Sequence, residues 1–163
     1  MSNTIFQDTY AQIYNSNDLE EIKSLDSVKT IDFMTFKNSL NNVKLPDSIE
    51  TIKFDYGYSE PLNNVKWPES LQTIYFFGNF NQPIDNVKWP KSLQEIRFGY
   101  DFNHSIEFLP EGLKVLKIWG NLNKKKNIIK SLECLPSSLE TLYIEKKYID
   151  LIPEILRDKV KYL

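Results

Sequence analysis

The sequence contains one histidine, His104, and one cysteine, Cys134, the residue types that most often act as base and nucleophile in covalent catalysis. Neither has an obvious partner that would orient it, and two such residues are too few for a structural zinc site. Phosphate-binding loops, the GxSxG elbow and the HExxH motif do not occur. We therefore predict a non-enzymatic protein without cofactor or metal, in which His104 lies in a surface loop and Cys134 is a small buried residue. Only an unusually reactive Cys134 thiol would revive an enzymatic interpretation.

Short polar side chains recur at two fixed positions in three consecutive segments of the sequence, where they are able to bind either backbone or ligand. These residues are Asn79, Asn81, Asp101, Asn103, Asn121 and Asn123. The first interpretation is a structural ladder whose side chains satisfy backbone groups of turns in their own and adjacent segments. A polar strip that binds a ligand is the alternative. Residues 103–105 also match the N-glycosylation pattern, which we do not expect to be used because no secretion signal is apparent.

A second set combines aromatic and basic side chains at positions that face outward from predicted strands. These residues are Tyr75, Phe77, Arg97, Lys117, Trp119 and Tyr143. Aromatic and arginine side chains are enriched in protein interfaces, so the set is a candidate protein-binding face. Its alternative is a group of ordinary outward strand residues. Four further lysines, Lys124, Lys125, Lys126 and Lys130, are expected in a solvated loop, or else in contact with an acidic partner.

A repeat of about 22 residues must position these side chains. Pro46, Pro68, Pro90 and Pro110 lie 22, 22 and 20 residues apart, and each opens a related string such as PESLQTIYFFGNFNQPIDNVKW. Six copies follow one another from Leu25 onward, and three apolar positions with LxxLxL spacing recur in each. The last two of these positions alternate with polar residues, which predicts one half-buried strand per copy.

Units of this size cannot bury their apolar face alone, so they must stack on one another. We therefore predict a repeat solenoid with a parallel β-sheet of about six short strands. Its return arms are expected to be irregular or 3₁₀, because they are short and contain Pro61 or Pro83. The predicted organisation is a partly helical N-terminal cap over residues 1–24, six repeats over 25–152 and a C-terminal cap over 153–163.

The two caps are predicted to be helical because a stack otherwise exposes its last core layer. Thr4 and Gln7 have capping-box spacing. The residues expected to form one apolar helical face after them are Ile5, Phe6, Tyr10, Ile13 and Tyr14. At the other end Pro153 suits the first position of a helix, and a seventh strand over residues 160–163 is the alternative.

Several strings of the repeat resemble a known repeat family. FNQPI at Phe80–Ile84, FNHSI at Phe102–Ile106 and the intervening NVKWPKSLQEIRFG are similar to FNIP repeats, a leucine-rich-repeat-like (LRR-like) unit found in amoebae and in giant viruses that infect them. The resemblance covers residues 25 to about 149. It implies an LRR-like fold and a protein-interaction module.

Many members of that family carry an N-terminal F-box that docks on a ubiquitin-ligase scaffold. Only 24 residues precede the first unit here, so a complete F-box is not expected. Substrate recognition within a ubiquitin-ligase assembly therefore stands as an alternative to simple protein binding, and a self-associating structural protein is another.

The overall charge of the chain favours a protein partner over nucleic acid or an acidic membrane. The 163 residues include 20 Lys and Arg against 22 Asp and Glu, a formal net charge of −2. Such a balance provides no general attraction for nucleic acid or acidic membranes. No apolar run approaches the roughly 20 residues of a membrane span, and we expect a cytoplasmic protein, in the host cytoplasm if it is viral. The sequence leaves the oligomeric state open.

Overall fold

The computed structural model describes residues 6–7, 9–22 and 26–163. Within these ranges nine strands form a single sheet in sequence order. The strands are β1 (Phe6–Gln7), β2 (Tyr10–Ile13), β3 (Thr30–Phe33), β4 (Thr51–Phe54), β5 (Thr73–Phe76), β6 (Glu95–Phe98), β7 (Val115–Ile118), β8 (Thr141–Ile144) and β9 (Val160–Tyr162). Strand β1 runs antiparallel to β2, and every later strand is parallel to the one before it.

Equivalent positions of the repeat pair directly across the sheet. Ile52 of β4 lies opposite Ile31 on one side and Ile74 on the other. Buried and half-buried residues alternate in β2 to β7, as expected for strands with one face in the core. The predicted solenoid with a parallel sheet is therefore confirmed, although the sheet has more strands than the six expected because both caps contribute strands.

Helices are few and short among the described residues. The α-helices are α1 (Ser16–Ile22) and α2 (Lys126–Ser131), and the 3₁₀ helices cover Leu122–Lys124, Leu132–Cys134, Lys146–Leu151 and Glu154–Lys159. Between β3 and β7 the return arms contain no helix, whereas the arms after β7 and β8 do. The arms between β3 and β7 are thus irregular, as their prolines and length predict, whereas α2 in the arm after β7 departs from the expected irregular or 3₁₀ conformation.

The N-terminal cap differs from its prediction. Residues assigned to an apolar helical face form strand β2 instead, in which Ala11 and Ile13 are fully buried. The unpaired edge of β3 supplies hydrogen-bonding partners for β2, so a period of two replaces the helical period. Thr4 and Ile5 lie outside the described residues. The helix of this cap begins only at Ser16.

The C-terminal cap combines both alternatives. A 3₁₀ helix over Glu154–Lys159 follows Pro153, and β9 then adds a strand beside β8. Leu156 of that helix is buried and Val160 packs against the core. The helix therefore covers the last layer while β9 pairs with the last repeat strand.

Two columns of stacked aromatic rings fill the core of the middle units. One column comes from the last residue of each strand and the other from the anchor residue after the turn. Within a unit the ring centroids of Phe76 and Phe80 are 4.1 Å apart. Between units the centroids of Phe54 and Phe76 are 5.1 Å apart and nearly parallel. Aromatic pairs of this kind contribute about 0.5–1.5 kcal/mol each beyond their buried area.

A column of serines, which the sequence analysis did not single out, also joins the units. Each serine stands two residues after the proline that opens a repeat, and its hydroxyl donates to a backbone carbonyl of the preceding unit. The pairs are Ser48 with Val28, Ser70 with Ile49, Ser92 with Leu71 and Ser138 with Leu113, at 2.6–2.7 Å. The recurrent Pro-x-Ser string of the sequence was the available signal.

Lys125 contradicts the expectation of a solvated lysine loop. Its side chain is only 2% exposed. The ammonium donates to the carbonyl oxygens of Gly99 at 3.3 Å, Tyr100 at 2.7 Å and Phe102 at 2.5 Å. Three carbonyls of the turn after β6 therefore converge on one charge, which fastens the segment before α2 to the preceding unit.

Gly99 provides a test of how closely the units approach each other. A Cβ atom at this position would lie 2.6 Å from the backbone nitrogen of Gly78 and 2.9 Å from the carbonyl oxygen of Phe76. We expect Gly99→Ala to lower the free energy of unfolding by about 1–3 kcal/mol, because the backbone of the neighbouring unit must move. Urea denaturation followed by circular dichroism measures this change.

The matched control is Gly57→Ala. The nearest atom to a Cβ there is the flexible tip of Lys37 at 3.4 Å. This substitution should change the free energy of unfolding by no more than about 1 kcal/mol, and in the stabilising direction. Equal destabilisation by both variants would contradict the close packing of units at Gly99.

Lys125 predicts a pH dependence of stability. Burial lowers its pKa to about 8 from the usual 10.5, and the carboxylate of Asp101 partly opposes that shift. Between these two values the unfolded chain binds more protons at Lys125 than the folded chain does, so stability rises as pH increases through that window. The unfolding free energy of the natural protein, minus that of Lys125→Met, should therefore increase from about pH 8 to about pH 10.

Urea titrations at a series of pH values provide the measurement, and Lys126→Met is the control because Lys126 is exposed. That control should follow the pH profile of the natural protein. A difference for Lys125→Met that stays constant with pH would show that the pKa of Lys125 is not lowered by folding.

Candidate functional site

The outward side chains of β5 to β8 form one continuous surface. The residues predicted for a protein-binding face lie together on it, and all six are half-buried: Tyr75, Phe77, Arg97, Lys117, Trp119 and Tyr143. We call these six residues the aromatic–basic patch. Four of them alternate with buried residues within β5 to β8 and so lie opposite the core, and Phe77 and Trp119 directly follow β5 and β7.

Arg97 is the centre of the patch. Its guanidinium carbon lies 4.7 Å from the ring centroid of Phe77 and 4.4 Å from that of Trp119, so two rings from adjacent units flank it. Burial lowers the pKa of Arg97, and nearby tyrosines and Glu95 oppose that shift. Cation–π contacts of this kind contribute about 0.5–2 kcal/mol each, depending on their desolvation. The contacts hold the guanidinium in one orientation.

The charge of Arg97 is not neutralised within the described part of the chain. No ion pair is formed there by its guanidinium, and the buried Nε atom has no hydrogen-bond partner. The indole nitrogen of Trp119 is also buried without a partner among these residues. The centre of the patch therefore combines an oriented, unpaired cation with apolar rings.

Lys117 differs from Arg97 because its charge is already paired. Its Nζ lies 2.7 Å from a carboxylate oxygen of Glu95 and 5.1 Å from the ring centroid of Tyr143. Burial, followed by the charge of Glu95 and a hydrogen bond to it, raises the pKa of Tyr75 to about 12. Glu95 therefore interacts with two members of the patch, Lys117 and Tyr75.

Two exposed tyrosines extend the patch, and the sequence analysis missed both. Tyr56 is 60% and Tyr100 56% exposed. Tyr56 packs against Gly78 of the next unit and Tyr100 against Gly120, and the Tyr100 ring also meets Trp119 edge-on at 6.2 Å. Tyrosine and glycine alternate at this position in four successive units, which was the signal available in the sequence.

The polar columns lie at the turns after the strands and join neighbouring units. Asn81 Oδ1 accepts a hydrogen bond from the backbone N–H of Asn103 at 2.9 Å. The Asn103 amide donates to the Lys124 carbonyl, and its Oδ1 accepts from the Asn127 backbone N–H. Asn121 Oδ1 accepts from the backbone N–H of Asn123 and from the Tyr148 hydroxyl. Asn79 and Asp101, the other members of the columns, are exposed.

His104 and Cys134 are engaged in different surroundings. The Nε2 atom of His104 is 3.1 Å from the carbonyl oxygen of Asn81, and its ring lies near Phe102. Cys134 is exposed, so the expectation that it is buried is wrong. It ends a short 3₁₀ helix on the surface rather than facing the core.

In residues 6–7, 9–22 and 26–163, no three His, Cys, Asp or Glu side chains are grouped in a way that could hold a metal ion. No helix in those ranges has the length and apolar character needed to cross a bilayer.

Comparisons with known proteins agree with this geometry. The family model described as FNIP Repeat matches residues 58–101 and 80–121. The crystal structure of CroV588, described as a novel circular LRR protein, is similar with a TM-score of 0.58 and 28% sequence identity over 73% of this chain. This chain spans only 17% of the length of that one. A search of curated proteins finds no match.

The repeat matches lie on the units that build the aromatic–basic patch from β5 to β7. The similar solved structure is described as an LRR protein. The sequence period, the parallel sheet with one strand per unit and these two matches lead to one conclusion: the chain is a repeat protein with an LRR-like fold, and its residues 58–121 match the FNIP repeat.

Proposed function

We propose that the chain is a non-enzymatic interaction module that binds a protein partner through the aromatic–basic patch. The observation that supports this proposal most directly is the placement of Arg97 between Phe77 and Trp119. Aromatic and arginine side chains dominate the binding energy of protein interfaces when they lie near the centre of a packed patch. The repeat fold supports the same class of function, because solenoids present extended surfaces to their partners.

The patch is preorganised for binding. Tyr75 and Phe77 contact each other edge-on at 6.2 Å, and Lys117 is held by Glu95 and Tyr143. Side chains that are already ordered lose little conformational freedom when a partner arrives, which leaves more of the contact energy available for affinity. The rings provide the contact area and the ordered charges restrict the orientation of the partner.

The charges of the patch also restrict the chemistry of the partner. Lys117 is compensated by Glu95, whereas Arg97 has no ion pair among the described residues. A partner that places an apolar surface on the rings and one carboxylate beside Arg97 satisfies both features, since arginine binds carboxylates in a bidentate way. The expected partner surface is thus mainly apolar with a single acidic contact.

Affinity capture tests this proposal. The natural chain and an Arg97→Glu, Trp119→Ala variant are used as baits in amoebal lysate, and bound proteins are quantified by mass spectrometry. The variant is expected to lose at least about 90% of any specific partner, because it removes one ring and reverses the unpaired charge. Its stability should fall by only about 1–2 kcal/mol, since the core columns are untouched.

A matched bait is Lys66→Glu with Phe108→Ala, which makes the same kinds of change at exposed positions outside the patch. This bait should recover the same partner as the natural chain. If the patch variant retains the full set of bound proteins, binding does not use the aromatic–basic patch.

A further inference from the structure

The unit after β7 departs from the repeat, and a mainly apolar groove lies against its return arm. Its return arm contains α2 and two flanking 3₁₀ helices, and the next arm packs beside it. The resulting cavity has a volume of about 280 Å³. It is lined by Leu122, Asn123, Lys126, Ile129, Lys130 and Leu151.

The wall of the groove is mainly apolar. Leu122 is buried beneath it, whereas Ile129 and Leu151 are only partly covered by the rest of the protein. A volume of this size accommodates one large aliphatic or aromatic side chain, but it is small for a typical cofactor. The groove therefore suits the side chain of a peptide.

Positive charge surrounds the groove. Lys126 and Lys130 are four residues apart on α2, so they extend from the same side of the helix. Lys124 lies just before them, and all three are exposed. Within the described part of the chain none of the three forms an ion pair. Buried Lys125, between them in sequence, is used internally.

The other end of the groove has a different charge. An adjoining cavity shares Ile129, Lys130 and Leu151 with the groove, and its other charged lining residues are Glu133, Asp150, Glu154 and Arg157. Three carboxylates accompany the two cations there, so carboxylates of a ligand are attracted more strongly to the α2 end than to the far end. The charge distribution therefore favours a negatively charged peptide that binds with its carboxylates near α2.

The backbone that forms the groove is held in place before any ligand binds. Lys125 fastens the start of α2 to the turn after β6. The Asn127 side chain donates to the Asn103 carbonyl at 2.7 Å, and the Ser131 hydroxyl accepts from the backbone N–H of Ile106 at 3.0 Å. A preformed groove loses little entropy on binding, which favours a short linear ligand.

We propose that this groove is a second binding site, which takes a short peptide segment with one bulky apolar side chain and adjacent carboxylates. The apolar side chain fills the space between Ile129 and Leu151, and the carboxylates pair with Lys126 and Lys130. The proposal is independent of the aromatic–basic patch, since the groove belongs to return arms and the patch to strands.

Fluorescence anisotropy with labelled synthetic peptides tests this site. The probe is DDLFGG carrying an N-terminal fluorophore, which offers one aliphatic and one aromatic side chain for the single apolar space. The matched peptides NNLFGG and DDSSGG lack the charges or the apolar side chains. We expect saturable binding of DDLFGG with a dissociation constant below about 1 mM. Both matched peptides should bind at least about five-fold more weakly, and raising the salt concentration to about 0.5 M should weaken DDLFGG similarly.

Variants of the full chain locate the site. Lys126→Glu with Lys130→Glu, and separately Ile129→Ser, should each weaken DDLFGG at least about five-fold. The control Lys66→Glu with Lys88→Glu, which reverses two exposed lysines elsewhere, should leave binding unchanged. The Arg97→Glu, Trp119→Ala variant should also bind normally, which separates this site from the patch.

Amide chemical shifts of the natural protein provide a measurement that does not depend on any variant folding. Addition of DDLFGG should shift signals of residues 122–131 and 151 selectively. The proposal is overturned if no saturable binding occurs up to about 1 mM, if the lysine reversal leaves affinity unchanged, or if the shifts map to the strand face instead.

Discussion

Stacking of aromatic rings in the core is the interaction on which the rest of the structure depends. The rings of Phe33, Phe54, Phe76 and Phe98 lie nearly parallel at centroid distances of 5.1–5.7 Å. That distance is close to the spacing of neighbouring strands, about 4.8 Å, so the rings stack only when the strands are in register. A slip by one residue would turn every ring outward. The register that buries the rings also brings Phe77, Arg97 and Trp119 together on the opposite face.

Most features that repeat were predictable from the sequence, although the recurring serine column was not singled out. The period revealed the strands, the buried columns and the outward positions, because each recurs at the same place in every unit and errors in one unit are corrected by the others. Features outside the period were not predictable in this way. The apolar pattern of strand β2 also fits a helix, and one short segment offers no second copy that would decide between them. The burial of Lys125 has no signal in the sequence, because the three carbonyls that it contacts converge on it only in the folded chain. Tyr56 and Tyr100 were overlooked because they alternate with glycine rather than recurring in every unit.

The two candidate binding surfaces arise in contrasting ways. The aromatic–basic patch occupies positions where the repeat leaves the residue type free, so its chemistry varies without any change in backbone. The groove exists because one unit breaks the period and inserts α2, so its chemistry required a change in backbone and new hydrogen bonds to support it. A repeat protein therefore gains recognition surfaces both by substitution along a conserved frame and by local interruption of that frame.

The packing of tyrosine on glycine after the strands has a consequence for how such a chain can grow. Serine hydroxyls and core rings make the interfaces between the middle units from β3 to β6 nearly the same, which suggests that a single unit could be duplicated or lost freely. The tyrosines do not follow that rule: Tyr56 rests on Gly78, and the arrangement recurs only at Tyr100 and Gly120, 44 residues later. Loss of the single unit between them would place the two tyrosines in adjacent units, so that Tyr56 would meet a tyrosine where it now packs on a glycine. At this surface the segment that can be duplicated or lost without a clash is a pair of units, although the backbone conformation repeats in every unit.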